Sequence, residues 1–153
     1  MAEKDLSNII EKAVAQCQKS GTKLTEKRKN VLVSLVTSET PLSAYELVEK
    51  YREDHAEVIA AMSVYRMLDF LEKENLVHKL SSTNKYVGCA HITCCHTHQI
   101  PQFLICDKCN KVSEVGIAKE IIGQLKENVE SSGFQLHSQQ LELHGICDKC
   151  LDD

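Results

Sequence analysis

Residues 63–89, "SVYRMLDFLEKENLVHKLSSTNKYVGC", carry the pattern that decides the fold of the N-terminal half. A helix is predicted from Ser63 to about Asn75, because four apolar residues recur at helical spacing on one face: Val64, Met67, Leu68 and Leu71. The segments "LVHKL" and "KYVGC" flank the turn-forming "SSTN", which predicts a β-hairpin. With Tyr65 and Arg66 on the exposed side of the helix, the pair is typical of the recognition helix and wing of a winged helix-turn-helix domain.

Three further helices are predicted before this stretch. The apolar face of "LSNIIEKAVAQC" indicates a first helix, on which Cys17 is expected to be a small buried hydrophobe. Thr25 is a suitable N-cap for a second helix. Ser43 and Glu46 form a capping box, in which each side chain satisfies the backbone amide of the other, and they open a third helix that runs to about Arg52.

Charge gives DNA binding only local support. Acidic and basic residues balance up to residue 85, and the remainder of the chain carries the net charge of −4. Non-specific affinity for DNA normally requires a basic surface. Basic residues nevertheless cluster around the second helix, the fourth helix and the hairpin: Lys23, Lys27, Arg28, Lys29, Arg66, Lys79 and Lys85. The alternative interpretation is a small helical module whose polar face is solvated.

The C-terminal part is predicted to be a small α/β unit, which makes the fold class α+β. "FLIC" and "KVSEV" predict short strands, and apolar residues between 117 and 129 recur at helical spacing. A last strand is expected from Phe134 to about His144. A bulge is expected near residues 138–140, because the apolar residues are even-numbered before that point and odd-numbered after it. Exposed strand edges in so small a unit favour pairing with a second copy, so a dimer is predicted.

The tetrapeptide "CDKC" occurs twice, at 106–109 and at 147–150. The 37 residues between the two copies are enough for a strand, a helix and a strand to return to the start, so four thiolates can converge on one Zn²⁺. A redox couple would need a C-x-x-C at a helix N-terminus that lowers a thiol pKa, and neither pair opens a convincing amphipathic helix. Inert thiols are the remaining interpretation. The pattern favours a structural zinc ion held by Cys106, Cys109, Cys147 and Cys150.

Other residues of ligand type crowd between the hairpin and the end of the chain: His78, Cys89, His91, Cys94, Cys95, His96, His98, Glu114, His137 and His144. Their density favours a second metal site that mixes thiolate, imidazole and carboxylate, and its thiolate content suits Zn²⁺. The alternative is a loop with incidental histidines and cysteines. Spacing alone does not identify the ligands.

Several classes of protein are disfavoured by the composition. No stretch approaches the roughly 20 apolar residues that span a bilayer, and the first residues lack a signal-peptide pattern, so a cytoplasmic protein without a membrane partner is expected. Thiols stay reduced in that compartment, so eight cysteines indicate metal or redox chemistry rather than a disulfide framework. The absence of paired carboxylates, a Ser-His-Asp set or a Gly-rich phosphate loop predicts that the protein is not an enzyme.

Five segments together resemble the ferric uptake regulator family, and within it the zinc uptake regulators: "KLTEKRKNVL", "LSAYELVEKYR", residues 63–89, "FLICDKCNKVSEV" and "LELHGICDKC". The similarity covers essentially the whole chain in order. It implies a homodimeric, zinc-responsive repressor of zinc-uptake genes. It also implies three regions: a winged-helix DNA-binding domain over 1–85, a hinge over 86–98, and an α/β dimerisation domain with structural zinc over 99–153.

The resemblance also implies two zinc ions per monomer. The four C-x-x-C cysteines match the family's structural site. The regulatory site carries over to His78, Cys89 and Glu114, with His98 as the fourth ligand and His96 as its alternative, because "AHITCCHTHQIPQ" matches the family's histidine-containing loop only loosely. Cys94 and Cys95 have no counterpart and are interpreted as incidental or weakly redox-active. One ion would tie the wing, the hinge and the dimerisation domain together, so zinc is expected to select the hinge angle that suits DNA.

DNA contacts are implied by the same resemblance. Tyr45 and Arg66 match base-reading positions, Tyr65 matches a base- or phosphate-contacting tyrosine, and the backbone-contacting positions are Lys23 and Arg28. Glu49 and Arg52 match a salt bridge between two dimers on one operator, although an i,i+3 pair on a solvated helix face is also common. The expected partner is operator DNA with an AT-rich inverted repeat, occupied by one or two dimers.

Alternative functions remain open at this point. An iron or peroxide sensor on the same fold would bind DNA but would favour a site rich in His and Asp, which Cys89 argues against. A thiol oxidoreductase would need an exposed cysteine of low pKa. A zinc-ribbon interaction module would not bind DNA, and Arg66→Ala would then have no effect on any operator.

Overall fold

The computed structural model describes residues 3–93, 100–137 and 140–152, and the chain forms two compact units, Met1–Cys94 and Cys95–Asp153. The division between the units falls inside the segment predicted to be a hinge, 86–98. The first unit continues beyond the predicted domain limit at residue 85, because the second strand of the hairpin lies at Lys85–Gly88. In the described part of the chain, no helix is long and apolar enough to cross a membrane.

Four helices form the first part of the first unit: α1 (Glu3–Lys19), α2 (Glu26–Val36), α3 (Ala44–His55) and α4 (Ala61–Lys73). The predicted N-caps of the second and third helices are confirmed. The Thr25 side chain accepts a hydrogen bond from the backbone amide of Arg28. At Ser43 both halves of the capping box with Glu46 are formed, which satisfies two backbone amides that α3 would otherwise leave unpaired.

A two-stranded antiparallel hairpin, β1 (Val77–Leu80) and β2 (Lys85–Gly88), follows α4. Its turn contains Asn84 with φ 54, a left-handed conformation that Asn adopts more readily than most residues. Leu42 extends the sheet by one bridge, since its backbone exchanges hydrogen bonds of 3.1 and 2.8 Å with Tyr86. The hairpin is thereby fixed to the segment that leads into α3.

The core of the first unit is one cluster of buried apolar side chains from all four helices and the hairpin. All four residues predicted for the inner face of α4 are buried, and so is Cys17 in the last turn of α1. Two hydrogen bonds also join α1 and the residues after it to the end of α4. The Thr22 hydroxyl donates to the Glu74 carboxylate at 3.1 Å, and the Gln16 amide donates to the Glu74 carbonyl. α1 is therefore attached to α4 by both packing and hydrogen bonds.

The predicted start of α4 at Ser63 is wrong by two residues. The helix begins at Ala61 with Ala60 as N-cap, and no side chain caps it. Ile59, directly before the cap, is buried in the core. Packing of Ile59 fixes where the chain turns into the helix, and it overrides the local capping preference of serine.

The second unit contains a three-stranded sheet in the order β4-β3-β5, with β3 at Ile100–Cys106, β4 at Val112–Ile117 and β5 at Leu141–Gly145. β4 is antiparallel to β3, whereas β5 is parallel to it. Between β4 and β5 lies α5 (Lys119–Ser131), which has no buried residue, and the chain continues after β5 into the one-turn helix α6 (Asp148–Leu151).

The predicted last strand is shorter than expected. Residues 134–137 are not in a strand, and Phe134 and Leu136 are exposed; the predicted bulge lies partly at 138–139, outside the described residues. The apolar alternation that suggested a strand from Phe134 has no neighbouring strand with which to pair until Leu141 meets Gln102. Alternation of apolar residues shows only that a strand could be half-buried, and pairing decides where it forms.

Candidate metal centres and nucleic-acid surface

The four cysteines of the two C-x-x-C pairs come together at one end of the second unit's sheet. Cys106 is the last residue of β3, and Cys109 follows in the turn; Asn110 closes that turn with φ 60, and its amide donates to the Cys106 carbonyl at 2.9 Å. Cys147 is the N-cap of α6 and Cys150 lies within it. The parallel pairing of β5 with β3 is what carries the second pair to the first.

The four sulfur atoms lie within 4.8 Å of one another, and Cys109 Sγ is 3.7 Å from Cys147 Sγ. A tetrahedral Zn²⁺ with Zn–S bonds of about 2.3 Å requires sulfur atoms about 3.8 Å apart. The observed spacing and the all-thiol donor set therefore fit a structural zinc ion. The one-turn helix at the second pair was not predicted; it consists of four residues, far short of the amphipathic helix that the redox interpretation requires.

The sulfur atoms have divergent proton affinities. Hydrogen bonds from the backbone amides of Cys109 and Cys147 lower the pKa of the Cys106 thiol to about 6. The pKa of Cys150 is raised to about 12, first by its hydrogen bond to Cys147, then by burial and by the other neighbouring sulfurs. Thiolates this close repel one another, so a cation is needed before all four can be ionised together. The arrangement of the four thiols therefore suits a metal ion.

Polar contacts that do not involve sulfur also join the two C-x-x-C segments. Asp107, inside the first C-x-x-C, accepts a hydrogen bond of 2.9 Å with Nδ1 of His144 on β5, and its backbone amide donates to the Gly145 carbonyl at 2.9 Å. The Lys108 ammonium donates to the Cys150 carbonyl at 2.8 Å. We call these three contacts the knuckle clamp. From the sequence, His144 was predicted only as a candidate ligand; the Asp-Lys repeated within both C-x-x-C pairs is the local signal for these contacts.

Two of the residues predicted for the regulatory site meet within the first unit. His78 is half-buried on β1 and Cys89 is buried directly after β2, with a ring nitrogen of His78 and Cys89 Sγ within 4.8 Å of each other. The amide of Cys89 donates to the Leu76 carbonyl at 2.9 Å, which fixes its backbone. Glu114 is half-buried on β4 of the second unit. His96, His98, Cys94 and Cys95 lie outside the described residues.

Gly88 determines how closely the end of the hairpin approaches α2. A Cβ atom at Gly88 would lie 2.5 Å from Cγ1 and 3.4 Å from Cα of Val36, so the space next to the helix is already filled. Only a residue without a side chain permits this contact. The contact positions the adjacent Cys89.

The residues predicted to read DNA lie on one surface of the first unit. Tyr45, on the first turn of α3, is exposed and makes an edge-to-face contact with Tyr65 of α4 at a centroid distance of 6.5 Å. Arg66 is the next residue of α4, and it is exposed. An arginine and two aromatic side chains on adjoining helices form a surface that can place donors and apolar edges against base pairs.

Three lysines of the predicted basic cluster are paired with acids inside the unit. Lys27 contacts Glu57 at 2.9 Å, Lys29 contacts Glu26 at 3.0 Å, and Lys85 contacts Glu46 at 3.1 Å. The ion pair and hydrogen bond with Glu57 raise the pKa of Lys27. These lysines offer DNA less positive charge than the sequence suggested, because each is already balanced by a carboxylate.

Arg28 and Lys23 are linked to each other rather than to acids. The Arg28 guanidinium stacks 3.7 Å from the centroid of the Phe70 ring and donates to the Lys23 carbonyl at 2.8 Å. The stack connects α2 to α4. Phe70 was not singled out from the sequence, because its partner is 42 residues away.

Glu49 and Arg52 form an ion pair with each other on the exposed side of α3. This is the i,i+3 contact within one helix that the sequence allowed as an alternative. Such pairs contribute only a few tenths of a kcal/mol, roughly 0.2–0.5, to an isolated helix. A role in contacts between dimers stays a prediction.

Comparison with known proteins agrees with this architecture. Residues 19–144 match the ferric uptake regulator family. The zinc uptake regulation protein of Escherichia coli (strain K12) is 32% identical over 152 residues, which cover 99% of this chain and 86% of that protein. The crystal structure of holo XcZur is similar with a TM-score of 0.78 at 35% identity, covering 94% of this chain and 97% of that one.

A zinc uptake regulator complexed with zinc and DNA is similar with a TM-score of 0.83 at 30% identity, covering 96% of this chain and 95% of that one. These likenesses confirm the predicted α+β fold class and the family resemblance of the sequence. The chain belongs to the ferric uptake regulator family of metal-responsive transcription regulators.

Proposed function

We propose that the protein is a zinc-responsive transcriptional repressor, which binds operator DNA as a zinc-loaded homodimer and represses zinc-uptake genes. The observation that carries this proposal is the pairing of His78 with Cys89 at the base of the hairpin. Both residues belong to the unit that holds Tyr45, Tyr65 and Arg66. A metal ion bound there acts directly on the part of the molecule that contacts DNA.

The donor chemistry supports zinc as the regulatory metal. Imidazole and thiolate together suit Zn²⁺, whereas carboxylate-rich octahedral sites suit harder ions. The family resemblance adds Glu114 from the second unit and His98, or alternatively His96, from the segment between the units. A second zinc ion bound by Cys106, Cys109, Cys147 and Cys150 has a structural role, which gives two ions per monomer.

Regulation follows from the distribution of these ligands along the chain. Ligands from the hairpin, the connecting segment and the second unit restrict the angle between the units when they bind one ion. Zinc then selects the arrangement in which both recognition helices of a dimer meet successive major grooves. A coupling of about 1–3 kcal/mol per ion is typical of such linkage, so two ions per dimer change operator affinity by about thirtyfold or more.

On the DNA, Arg66 donates to O6 and N7 of a guanine, which its planar fork matches. Tyr45 and Tyr65 contact neighbouring bases or phosphates, and Lys23 and Arg28 contact the backbone of an AT-rich inverted repeat. Glu49 and Arg52 mediate contacts where two dimers occupy one operator. Because operators are cytoplasmic in a bacterium, the proposed function places the protein there.

The homodimer is supported by the surface of the second unit. Large apolar side chains are exposed on its sheet, where Leu104 pairs in register with Leu143 on β5, and Val115 lies on the neighbouring strand β4. Exposed apolar area of this kind marks an interaction surface. A second copy that covers the sheet brings two DNA-binding units together, as an inverted repeat requires.

The first experiment measures zinc per monomer during stepwise chelation, while binding to a duplex recovered by in-vitro selection with the zinc-loaded protein is followed in parallel. About two ions are expected, and loss of the weaker one should abolish DNA binding while the circular dichroism of the fold persists. A competition series with Fe²⁺ and Mn²⁺ separates a zinc sensor from an iron sensor.

Cys89→Ser and Cys17→Ser form a matched pair for this test, because both cysteines are buried in the first unit but only Cys89 adjoins a histidine nitrogen. Cys89→Ser should lose the weaker ion and zinc-dependent binding, and Cys17→Ser should keep both. Operator binding by Cys89→Ser with unchanged zinc dependence would show that the regulatory assignment is wrong.

A further inference from the structure

Few large apolar side chains are exposed in the described part of the first unit. Of the described residues of that unit, three large hydrophobic side chains are exposed: Tyr45 on the first turn of α3 (68%), Val58 in the α3–α4 linker (80%) and Met62 on the first turn of α4 (66%). Nearly all buried apolar side chains of the unit belong to one cluster. These three residues flank the N-terminal end of the proposed recognition helix.

Met62 lies on the same face of α4 as the two residues proposed to read DNA. Tyr65 and Arg66 follow it by three and four residues, the spacing that places side chains on one side of a helix. Tyr45 contacts Tyr65 edge to face, which continues the apolar surface across to α3. Met62 therefore stands at the tip of this surface, one turn closer to the N-terminus than Arg66.

Resting on the proposed function, we propose that Met62 determines operator specificity by packing against the C5-methyl group of a thymine. The thymine methyl is the one apolar group that base pairs display in the major groove, and residues at the N-terminal end of a recognition helix reach base edges. The thioether side chain is unbranched and adapts its shape to such a contact. No hydrogen bond is needed, so Arg66 supplies the polar contact and Met62 the apolar one.

The position of the thymine relative to the guanine of Arg66 is constrained by geometry. Four helical residues advance the chain by about 6 Å, at about 1.5 Å each. Base pairs are about 3.4 Å apart, so the thymine lies within about two base pairs of the guanine. Deoxyuridine at that position removes the methyl and leaves every hydrogen-bonding group of the base unchanged.

The test is a double-mutant cycle between protein and DNA on the tightest duplex that in-vitro selection with the zinc-loaded protein recovers. Each thymine of a half-site is replaced in turn by deoxyuridine, and Kd is measured for wild type, Met62→Ala and Met62→Leu. Loss of one buried methyl is expected to weaken wild-type binding about fourfold, which corresponds to about 0.8 kcal/mol. Met62→Ala should bind the thymine duplex about fourfold more weakly and show no further loss with uracil.

Met62→Leu should keep the sensitivity to uracil, and Glu72→Gln, exposed near the other end of α4, should match wild type on both duplexes. If Met62→Ala loses as much affinity with uracil as wild type does, Met62 does not touch the methyl. Reduced cooperativity between dimers with unchanged uracil sensitivity would assign the surface to a protein contact and overturn the inference.

The proposed function is tested separately by the same data. If wild type binds the selected duplex only with zinc, and Arg66→Ala abolishes that binding, the regulator stands whatever the result for Met62. If wild type selects no sequence, both the proposed function and this inference fail.

Discussion

The described residues of the first unit bury twenty apolar side chains in one cluster, whereas those of the second bury four: Phe103, Ile105, Cys106 and Ile117. One of those four, Cys106, is itself a candidate metal ligand, and α5 has no buried residue at all. Apolar burial is the main favourable term in folding, and small domains with little of it rely on metals or oligomerisation. We therefore expect the first unit to fold by packing, and the second to rely on the proposed zinc ion and on a second copy.

The largest expected effect comes from opening the cysteine cluster. Cys147→Ser removes one of four ligands, and because a structural zinc ion contributes its binding free energy to folding, the second unit should unfold while the first stays folded. Hydrogen exchange resolved by residue measures this: protection should vanish in β3–β5 and persist in α2–α4. Protection that survives throughout β3–β5 would mean that apolar packing suffices there and would break the comparison.

A second test makes the same substitution in each unit. Leu68 is fully buried on α4, and Leu136 is exposed ahead of β5, outside the sheet surface proposed for the dimer. Leu68→Ala should lower the free energy of unfolding of the first unit by about 2–5 kcal/mol. Leu136→Ala leaves no cavity and should change the stability of the second unit by less than about 0.5 kcal/mol. Denaturant unfolding followed separately for each unit measures both, and similar losses would show that the two cores are equivalent.

The outcome of sequence reasoning also differs between the units. Helical periodicity identified the helices of the first unit and the buried face of α4, because helices that pack on a large core bury a regular stripe of apolar residues. In the second unit the alternation from Phe134 predicted a strand that residues 134–137 do not form. A short apolar pattern on a small sheet is ambiguous, since the decisive contact is with a neighbouring strand far away in the sequence.

The candidate sites divide in the same way. The cysteine cluster was predictable because its signal, C-x-x-C twice, is local in the sequence. The neutralised lysines were not predictable, since Lys85 lies 39 residues from its partner Glu46 and Lys27 lies 30 from Glu57. Long-range pairing of exposed charges leaves no periodic trace in a sequence.

A weaker effect is expected from the knuckle clamp. Asp107→Asn removes the carboxylate that meets His144 at 2.9 Å but leaves all four sulfurs in place. Contacts that orient ligand segments typically change metal affinity 10–100-fold, so zinc release to a colorimetric chelator should accelerate about tenfold. Asp148→Asn is the matched control, because it alters the equivalent position of the second C-x-x-C pair. Equal release from both variants and wild type would show that the sulfurs alone hold the ion.

The smallest effect concerns pH and the first unit. The hydrogen bond from the Ser43 amide, with Lys85 beside it, holds the pKa of Glu46 below its ordinary value of 4.5. A lowered carboxyl pKa stabilises the folded state above pH 4.5, and this contribution disappears as pH falls through the lowered value. Glu46→Gln keeps an acceptor for the Ser43 amide but loses the charge, so it should cost less than about 1 kcal/mol near neutrality, the scale of a whole helix cap, and flatten the acid limb of the unfolding curve. An unchanged acid limb would place the titrating groups elsewhere.

Gly88 has a consequence for how this protein can evolve. The position holds no side chain, yet a Cβ atom there would lie 2.5 Å from Cγ1 of Val36. In a saturation library scored for repression, variants of residue 88 should be depleted as strongly as variants of a metal-ligand residue. Any side chain at residue 88 would displace the hairpin and Cys89 from α2. A compensating change to a smaller residue at 36 should restore some of them, so the two positions are expected to covary among descendants.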